Sequence, residues 1–107
     1  MPFVDAGIPV FVDKPLRCSL AEGKRFLKKA KAKGVPVTSF SLVPRQKSFV
    51  RFRDEVAALE DITVACSSGP CDIKSKYGGI FFYGIHQVDC IVELLGMGAK
   101  YAEMRRG

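Results

Sequence analysis

The chain has 107 residues, of which 48% are hydrophobic and 26% are charged, so it has the size and composition of one globular domain and not of a two-domain enzyme. Its formal net charge of +6 favours anionic partners such as nucleic acid. The longest stretch without a formal charge, residues 77–88, is shorter than the ~18 apolar residues of a membrane span, and the N-terminus has no basic leader, so we expect a cytoplasmic protein that does not contact membranes.

The first predicted element is a strand over residues 8–12, IPVFV, an apolar run rich in β-branched and aromatic side chains. Asp13, Lys14 and Pro15 follow it directly. Charged residues at the end of a strand are where α/β folds place their chemistry. The alternative is a salt-bridged strand end followed by a rigid turn, because most exposed charges contribute little.

A basic helix is predicted next. Ser19 and Glu22 form a capping box, so the helix should begin after Ser19, and Gly34 should end it. Lysines near the end of a helix also complement its dipole, so a basic face here has a local explanation. The basic residues of this segment are Lys24, Arg25, Lys28, Lys29, Lys31 and Lys33.

Strands and helices are also predicted in the rest of the chain. Residues 35–43 alternate and predict a strand, residues 48–59 have the spacing of an amphipathic helix, and residues 61–65 predict another strand. The segment 78–97 is apolar almost throughout, with helical periodicity over residues 85–95. A final strand is expected over residues 99–105.

The last predicted helix carries a polar stripe of His86, Asp89 and Glu93. A lone histidine on a buried helix is either a hydrogen-bonded core residue or a catalyst, and both interpretations stay open here. We expect no metal site, because one helix seldom supplies a whole coordination shell. The four cysteines, at positions 18, 66, 71 and 90, also lack metal-ligand spacing and should be reduced thiols.

Two segments together resemble a known family. Residues 6–37, AGIPVFVDKPLRCSLAEGKRFLKKAKAKGVPV, resemble the Ala-Gly-x-x-Val-x-x-Glu-Lys-Pro segment and following helix of the Gfo/Idh/MocA oxidoreductases. Residues 78–96, GGIFFYGIHQVDCIVELLG, resemble their Gly-Gly...Gly-x-His-x-x-Asp...Leu-x-Gly segment. Arg45 falls where that family often has an arginine opening the helix of its second domain.

The resemblance implies an NAD- or NADP-dependent oxidoreductase acting on hydroxyl groups of sugars or cyclitols. It places Lys14 near nicotinamide and substrate, with the rest of that motif, Asp13 and Pro15, in the cofactor-binding group. It gives His86 the proton transfer, and it gives Asp89 and Arg45 contacts to the substrate. A lysine ammonium and an imidazole suit these roles chemically.

The resemblance also has departures. The motif glutamate is Asp13 here, and Phe82 stands where many members carry an aspartate. The chain contains no Gly-x-Gly-x-x-Gly, the loop on which a dinucleotide pyrophosphate sits. We therefore expect an oxidoreductase fragment or remnant that binds no cofactor and is not catalytically competent alone.

The expected fold is one domain over residues 1–107, of α/β to α+β class, with about three helices packed on a small mixed sheet. By resemblance, residues 1–34 correspond to the end of the dinucleotide-binding domain and residues 35–107 to the start of the C-terminal domain. Expected partners are a second copy of the chain or the missing dinucleotide-binding segment, with a small polyol or sugar as a possible ligand.

An alternative from another class is a small basic module that binds nucleic acid or another protein. It would use the basic residues between Lys24 and Lys33 and those between Arg45 and Arg53. Phe49 and Phe52 interleave with the latter, as stacking platforms do. Both phenylalanines also fit the core-facing stripe of their helix.

Overall fold

A computed structural model describes residues 1–105 of the chain; the last two residues of the expected domain, 106 and 107, lie outside the described residues. The described part is a small domain of helices and strands. Its elements in chain order are α1 (Pro2–Asp5), β1 (Val10–Phe11), α2 (Leu20–Ala32), β2 (Val37–Thr38), a 3-10 turn (Val43–Arg45), α3 (Lys47–Ala57) and α4 (Ile80–Leu95).

The N-terminal half is a β-α-β unit in which α2 connects two parallel strands. Val10 pairs with Val37, and Phe11 pairs with Thr38. The expectation of a mixed sheet is wrong for the described residues, because their sheet has these two parallel strands. A parallel pair requires a crossover connection, and the basic helix supplies it.

Helix α2 begins where the capping box predicts. The Ser19 hydroxyl accepts a hydrogen bond from the Glu22 amide at 3.4 Å, and the chain turns at Gly34 with a φ of +64°. The inner face of α2 buries Phe26 and Ala30 against residues from the flanking segments. The resulting core consists of Val4, Phe26, Ala30 and Val35, with Val10, Val12, Leu16 and Val37 packed around it.

The C-terminal half consists of α3 and α4, which pack on each other and on the 3-10 turn. Helix α4 begins at Ile80, five residues earlier than its periodicity predicts. Gly78 and Gly79 precede it with positive φ values, a conformation that side-chain-bearing residues rarely adopt. These glycines therefore set the start of α4.

Two predicted strands are wrong. Residues 61–65 and 99–105 have irregular backbone, and nearly all of them are exposed. A strand needs a neighbour to accept and donate its backbone hydrogen bonds, and among the described residues neither segment has one. The strand predicted over 35–43 is also shorter, because the chain leaves β2 after Thr38 and continues into the 3-10 turn.

In the described part, no helix has the length and apolar character needed to cross a membrane. The radius of gyration is 16.1 Å, compared with about 13 Å for a compact domain of this length. The described part is therefore less compact than a typical domain of this length, and a cleft lies between its two halves.

Candidate functional site

The cleft between the β-α-β unit and α4 has a volume of about 360 Å³. This lies at the lower end of the range of small-molecule sites. One wall comes from the segment after β1, from α2 and from β2 with the residues that follow it. The opposite wall comes from α4. The lining residues are Lys14, Pro15, Leu16, Leu27, Val37, Thr38, Ser39, Phe40, Ile85 and Asp89.

Lys14 connects the two walls. Its Nζ donates a hydrogen bond to the Phe82 carbonyl oxygen at 2.8 Å, although the two residues are 68 positions apart in the sequence. The same Nζ lies 4.4 Å from the centroid of the Phe82 ring and 5.2 Å from that of Tyr83. An ammonium group over aromatic faces is attracted by the negative face of each ring. The half-buried Lys14 therefore presents a fixed positive charge to the cleft, with two donors to spare.

His86 is held by a buried serine. Its Nδ1 lies 2.6 Å from the Ser41 hydroxyl oxygen, which also accepts from the Val43 amide at 3.1 Å. Ser41 is completely buried. The imidazole orientation is thus fixed through one nitrogen, and its Nε2 remains for other partners. His86 does not itself line the cleft, although it lies one helical turn beyond the Phe82 carbonyl that binds Lys14.

Asp89 is fixed by the same serine. The Ser41 amide donates to Asp89 Oδ2 at 2.7 Å, so one residue of the β2–α3 connection binds both polar residues of the α4 motif. Asp89 lines the cleft. Burial, assisted by the negative charge of Asp89, raises the pKa of the neighbouring Cys90 thiol.

Arg45 and Asp13 are placed elsewhere. Arg45 pairs with Glu93 at 2.8 Å and lies 5.3 Å from the centroid of the Phe40 ring, and it does not line the cleft. Asp13 is exposed and does not line the cleft. Within residues 1–105, no group of three histidine, cysteine or acidic residues lies close enough together to hold a metal ion. Glu93 is used instead as the partner of Arg45.

The structure therefore brings Lys14, Pro15 and Asp89 to one cleft, whereas His86 binds the same serine as Asp89 and does not line the cleft. Sequence reasoning missed Ser41, which has no recognisable motif of its own. The sequence shows Ser41 only as a small polar residue near the end of a predicted strand, which does not indicate its two buried partners. The role of the Phe82 carbonyl was also missed, because every residue has a backbone carbonyl and the residue type does not indicate which one binds a lysine.

The basic residues form a separate surface on α2. Within residues 1–105, Lys29 and Lys33 pair with Asp5, whereas Lys24 and Lys28 form no ion pair. Among the phenylalanines of α3, Phe49 is half-buried and Phe52 is 49% exposed, with ring centroids 6.3 Å apart.

No protein-family model matches the chain, and neither curated proteins nor solved structures give a significant match. Any function assigned to the cleft therefore has to be supported by the residues that line it.

Proposed function

We propose that the cleft binds a small polyhydroxylated compound of the sugar or cyclitol class, and that the chain is a fragment or remnant of a Gfo/Idh/MocA-like oxidoreductase. One observation carries the proposal. Lys14 and Asp89, which belong to the two motifs of the resemblance and are far apart in sequence, line the same cleft.

The lining has the chemistry that a polyol requires. The Lys14 ammonium donates hydrogen bonds, and the free oxygen of the Asp89 carboxylate accepts them, so adjacent hydroxyl groups could bind both. Thr38 and Ser39 add side-chain hydroxyls. Phe40 and Ile85 supply apolar surface for the C–H faces of a sugar ring. A few polar groups on an apolar lining are the usual composition of a small-molecule site.

The resemblance implies proton transfer for His86. Because His86 does not line the cleft, it would exchange a proton with a bound hydroxyl group through a water molecule. In the tautomer in which Nδ1 donates to the Ser41 hydroxyl, Nε2 has a lone pair that can accept a proton from a hydroxyl group. Asp89 positions this histidine indirectly, because both residues bind Ser41. The ammonium of Lys14 would stabilise negative charge that develops on the substrate oxygen.

The described residues do not fit a pyridine dinucleotide. The connection from β1 to α2, residues 12–19, contains no glycine, so it cannot form the Gly-rich turn that cradles a pyrophosphate. We therefore assign no hydride-transfer step to this chain. Its proposed contribution is substrate binding and proton exchange, with the dinucleotide site supplied by another unit.

The proposal is tested by titrating the ¹⁵N-labelled chain with myo-inositol and D-glucose and following its amide resonances. We expect shifts confined to the cleft, with a dissociation constant on the order of millimolar. Asp89→Asn keeps an acceptor for the Ser41 amide but removes the charge, and Lys14→Met removes the donors. Each should weaken binding about tenfold, whereas the exposed matched variant Lys24→Met should not. Shifts outside the cleft, or equal effects of all three variants, would contradict the proposal.

The same experiment includes a titration of the chain with NADH. NADH added to the same chain should bind no more tightly than millimolar, because the pyrophosphate has no loop to occupy. Micromolar affinity for NADH would show that a dinucleotide site exists in the chain and would overturn that part of the proposal.

The second candidate function is binding of nucleic acid by α2. It is favoured by the exposed Lys24, Lys28 and Lys31, which share one helix face and form no ion pair within residues 1–105. Fluorescence anisotropy with a labelled single-stranded oligonucleotide would show a steep loss of affinity with added salt if this function is real. Replacing the three lysines with glutamine should then abolish binding, and it should leave the inositol titration unchanged.

A further inference from the structure

The outer face of α4 is apolar and has no charged residue. The helix contains two charged side chains, Asp89 and Glu93, and both face the β2–α3 connection, where they bind Ser41 and Arg45. Cys90, on the same inner side, is buried. Both charged side chains of α4 are thus bound within the domain.

Three large apolar side chains stand on the opposite side of α4. Phe81, Val88 and Leu95 are 48%, 57% and 49% exposed, in a chain of which 26% is charged. They are separated by seven residues each, which places them along one stripe of a helix. An exposed apolar stripe of this kind is typical of an interaction site.

The stripe is symmetric about Val88. A two-fold axis through Val88 that pairs two antiparallel copies of α4 would set Phe81 opposite Leu95 of the second copy. It would also set Gly84 opposite Val92, so that each of these residues meets an apolar or small residue of the second copy. Such self-complementarity is what an isologous interface between two identical chains requires.

We propose that the outer face of α4 is a homodimer interface, formed by antiparallel packing of two α4 helices about Val88. The absence of charge lets two copies of the face approach each other, although each chain carries a net charge of +6. Gly84 allows the helix axes to come close. A contact of one helix pair buries less than the ~1,600 Å² of a standard interface, so a dissociation constant of about micromolar or weaker is expected.

The first test is sedimentation velocity over a range of about 10 to about 500 µM, chosen to span an interface of this size. The wild-type chain should sediment at twice its 11.8 kDa mass at the upper end. Val88→Arg should remain monomeric, because it places two like charges at the axis. Val64→Arg is the matched control, since Val64 is 74% exposed in the irregular segment after α3. It should dimerise like the wild type.

A monomeric wild-type chain throughout this range would overturn the proposal, as would a dimer that persists in Val88→Arg. Circular dichroism of Val88→Arg should show that its helix content matches that of the wild type. If Val88→Arg does not fold, the cross-linking experiment below still tests the proposal, because its variants introduce no charge on the apolar face.

The second test is cross-linking with a short bismaleimide, in a background where the exposed cysteines at positions 18, 66 and 71 are serine. Val88→Cys lies on the axis and should cross-link to its own copy. Phe81→Cys alone should not, because the two copies of this residue would be about 21 Å apart along the helices. A mixture of Phe81→Cys and Leu95→Cys chains should cross-link. Efficient cross-linking of Phe81→Cys alone would indicate a parallel arrangement and refute the antiparallel one.

Discussion

Replacing Ser41 with alanine should lower the free energy of unfolding by about 2 kcal/mol. The Ser41 hydroxyl forms two hydrogen bonds, one with His86 Nδ1 and one from the Val43 amide, and the residue is completely buried. A buried hydrogen bond contributes about 1 kcal/mol net, and an amide left without its partner costs somewhat more. The bond from the Ser41 amide to Asp89 would remain, which limits the loss.

The assay is urea unfolding of the wild type, Ser41→Ala and the matched control Ser48→Ala. Ser48 is exposed near the start of α3, so its replacement should change the free energy of unfolding by less than about 0.5 kcal/mol. A double-mutant cycle with His86→Ala should give a coupling energy of about 1 kcal/mol between the two side chains.

Two results would refute this reasoning about Ser41. One is a Ser41→Ala protein as stable as the Ser48→Ala control. The other is a coupling energy near zero, since the loss of stability would then arise from packing and not from the bond to His86.

Three further predictions concern other contacts. Thiol alkylation at pH 8, followed by mass spectrometry, should label Cys90 much more slowly than the three exposed cysteines, because burial raises the Cys90 pKa and restricts access; equal rates would contradict this. Hydrogen bonds from Lys29 and Lys33 hold the pKa of Asp5 well below its usual range, so the stability that this carboxylate contributes is present above pH ~4 and lost as the pH falls further. Thermal unfolding of Asp5→Asn should lack that part of the acid-induced loss, and a pH profile identical to the wild type would refute the assignment. A Cβ at Gly79 would lie 3.1 Å from the Ile73 carbonyl oxygen, and Gly79 has a φ of +57°, so Gly79→Ala should lower the free energy of unfolding by about 1 kcal/mol in urea unfolding; a variant as stable as the wild type would contradict this.

Local signals in the sequence were sufficient for the three long helices, α2 to α4, whereas the short helix α1 was not predicted. The capping box of Ser19 and Glu22 predicted the start of α2, because both hydrogen-bonding partners lie within one helical turn. The periodicity of the last apolar segment predicted most of α4 in the same way. The resemblance of motifs, and not any local pattern, led us to expect Lys14 and His86 to face one cleft with Arg45 near its rim. The structure places Lys14 and Asp89 in the lining of one cleft, whereas His86 and Arg45 do not line it.

Strands and buried polar contacts were less predictable. The β-branched run 61–65 has strand propensity, but propensity cannot provide the neighbouring strand that would pair with it. Ser41 became important only because the chain leaves β2 early and passes against α4. Contacts between residues this far apart depend on the path of the whole chain. A short stretch of sequence does not determine that path.

The position of the apolar core has a consequence for how the domain opens. Val4, Phe26, Ala30 and Val35 all belong to the N-terminal half, whereas α3 buries no residue fully and α4 buries Cys90. The C-terminal half can therefore separate from the rest without exposing that core to water. Amide hydrogen exchange should show two levels of protection. Amides of α2 should exchange only when the whole domain unfolds, whereas those of α3 should exchange through local unfolding, which requires less free energy. Helix α4, which forms the wall of the cleft with Asp89, belongs to the less protected half, so ligand binding should slow amide exchange most in α4.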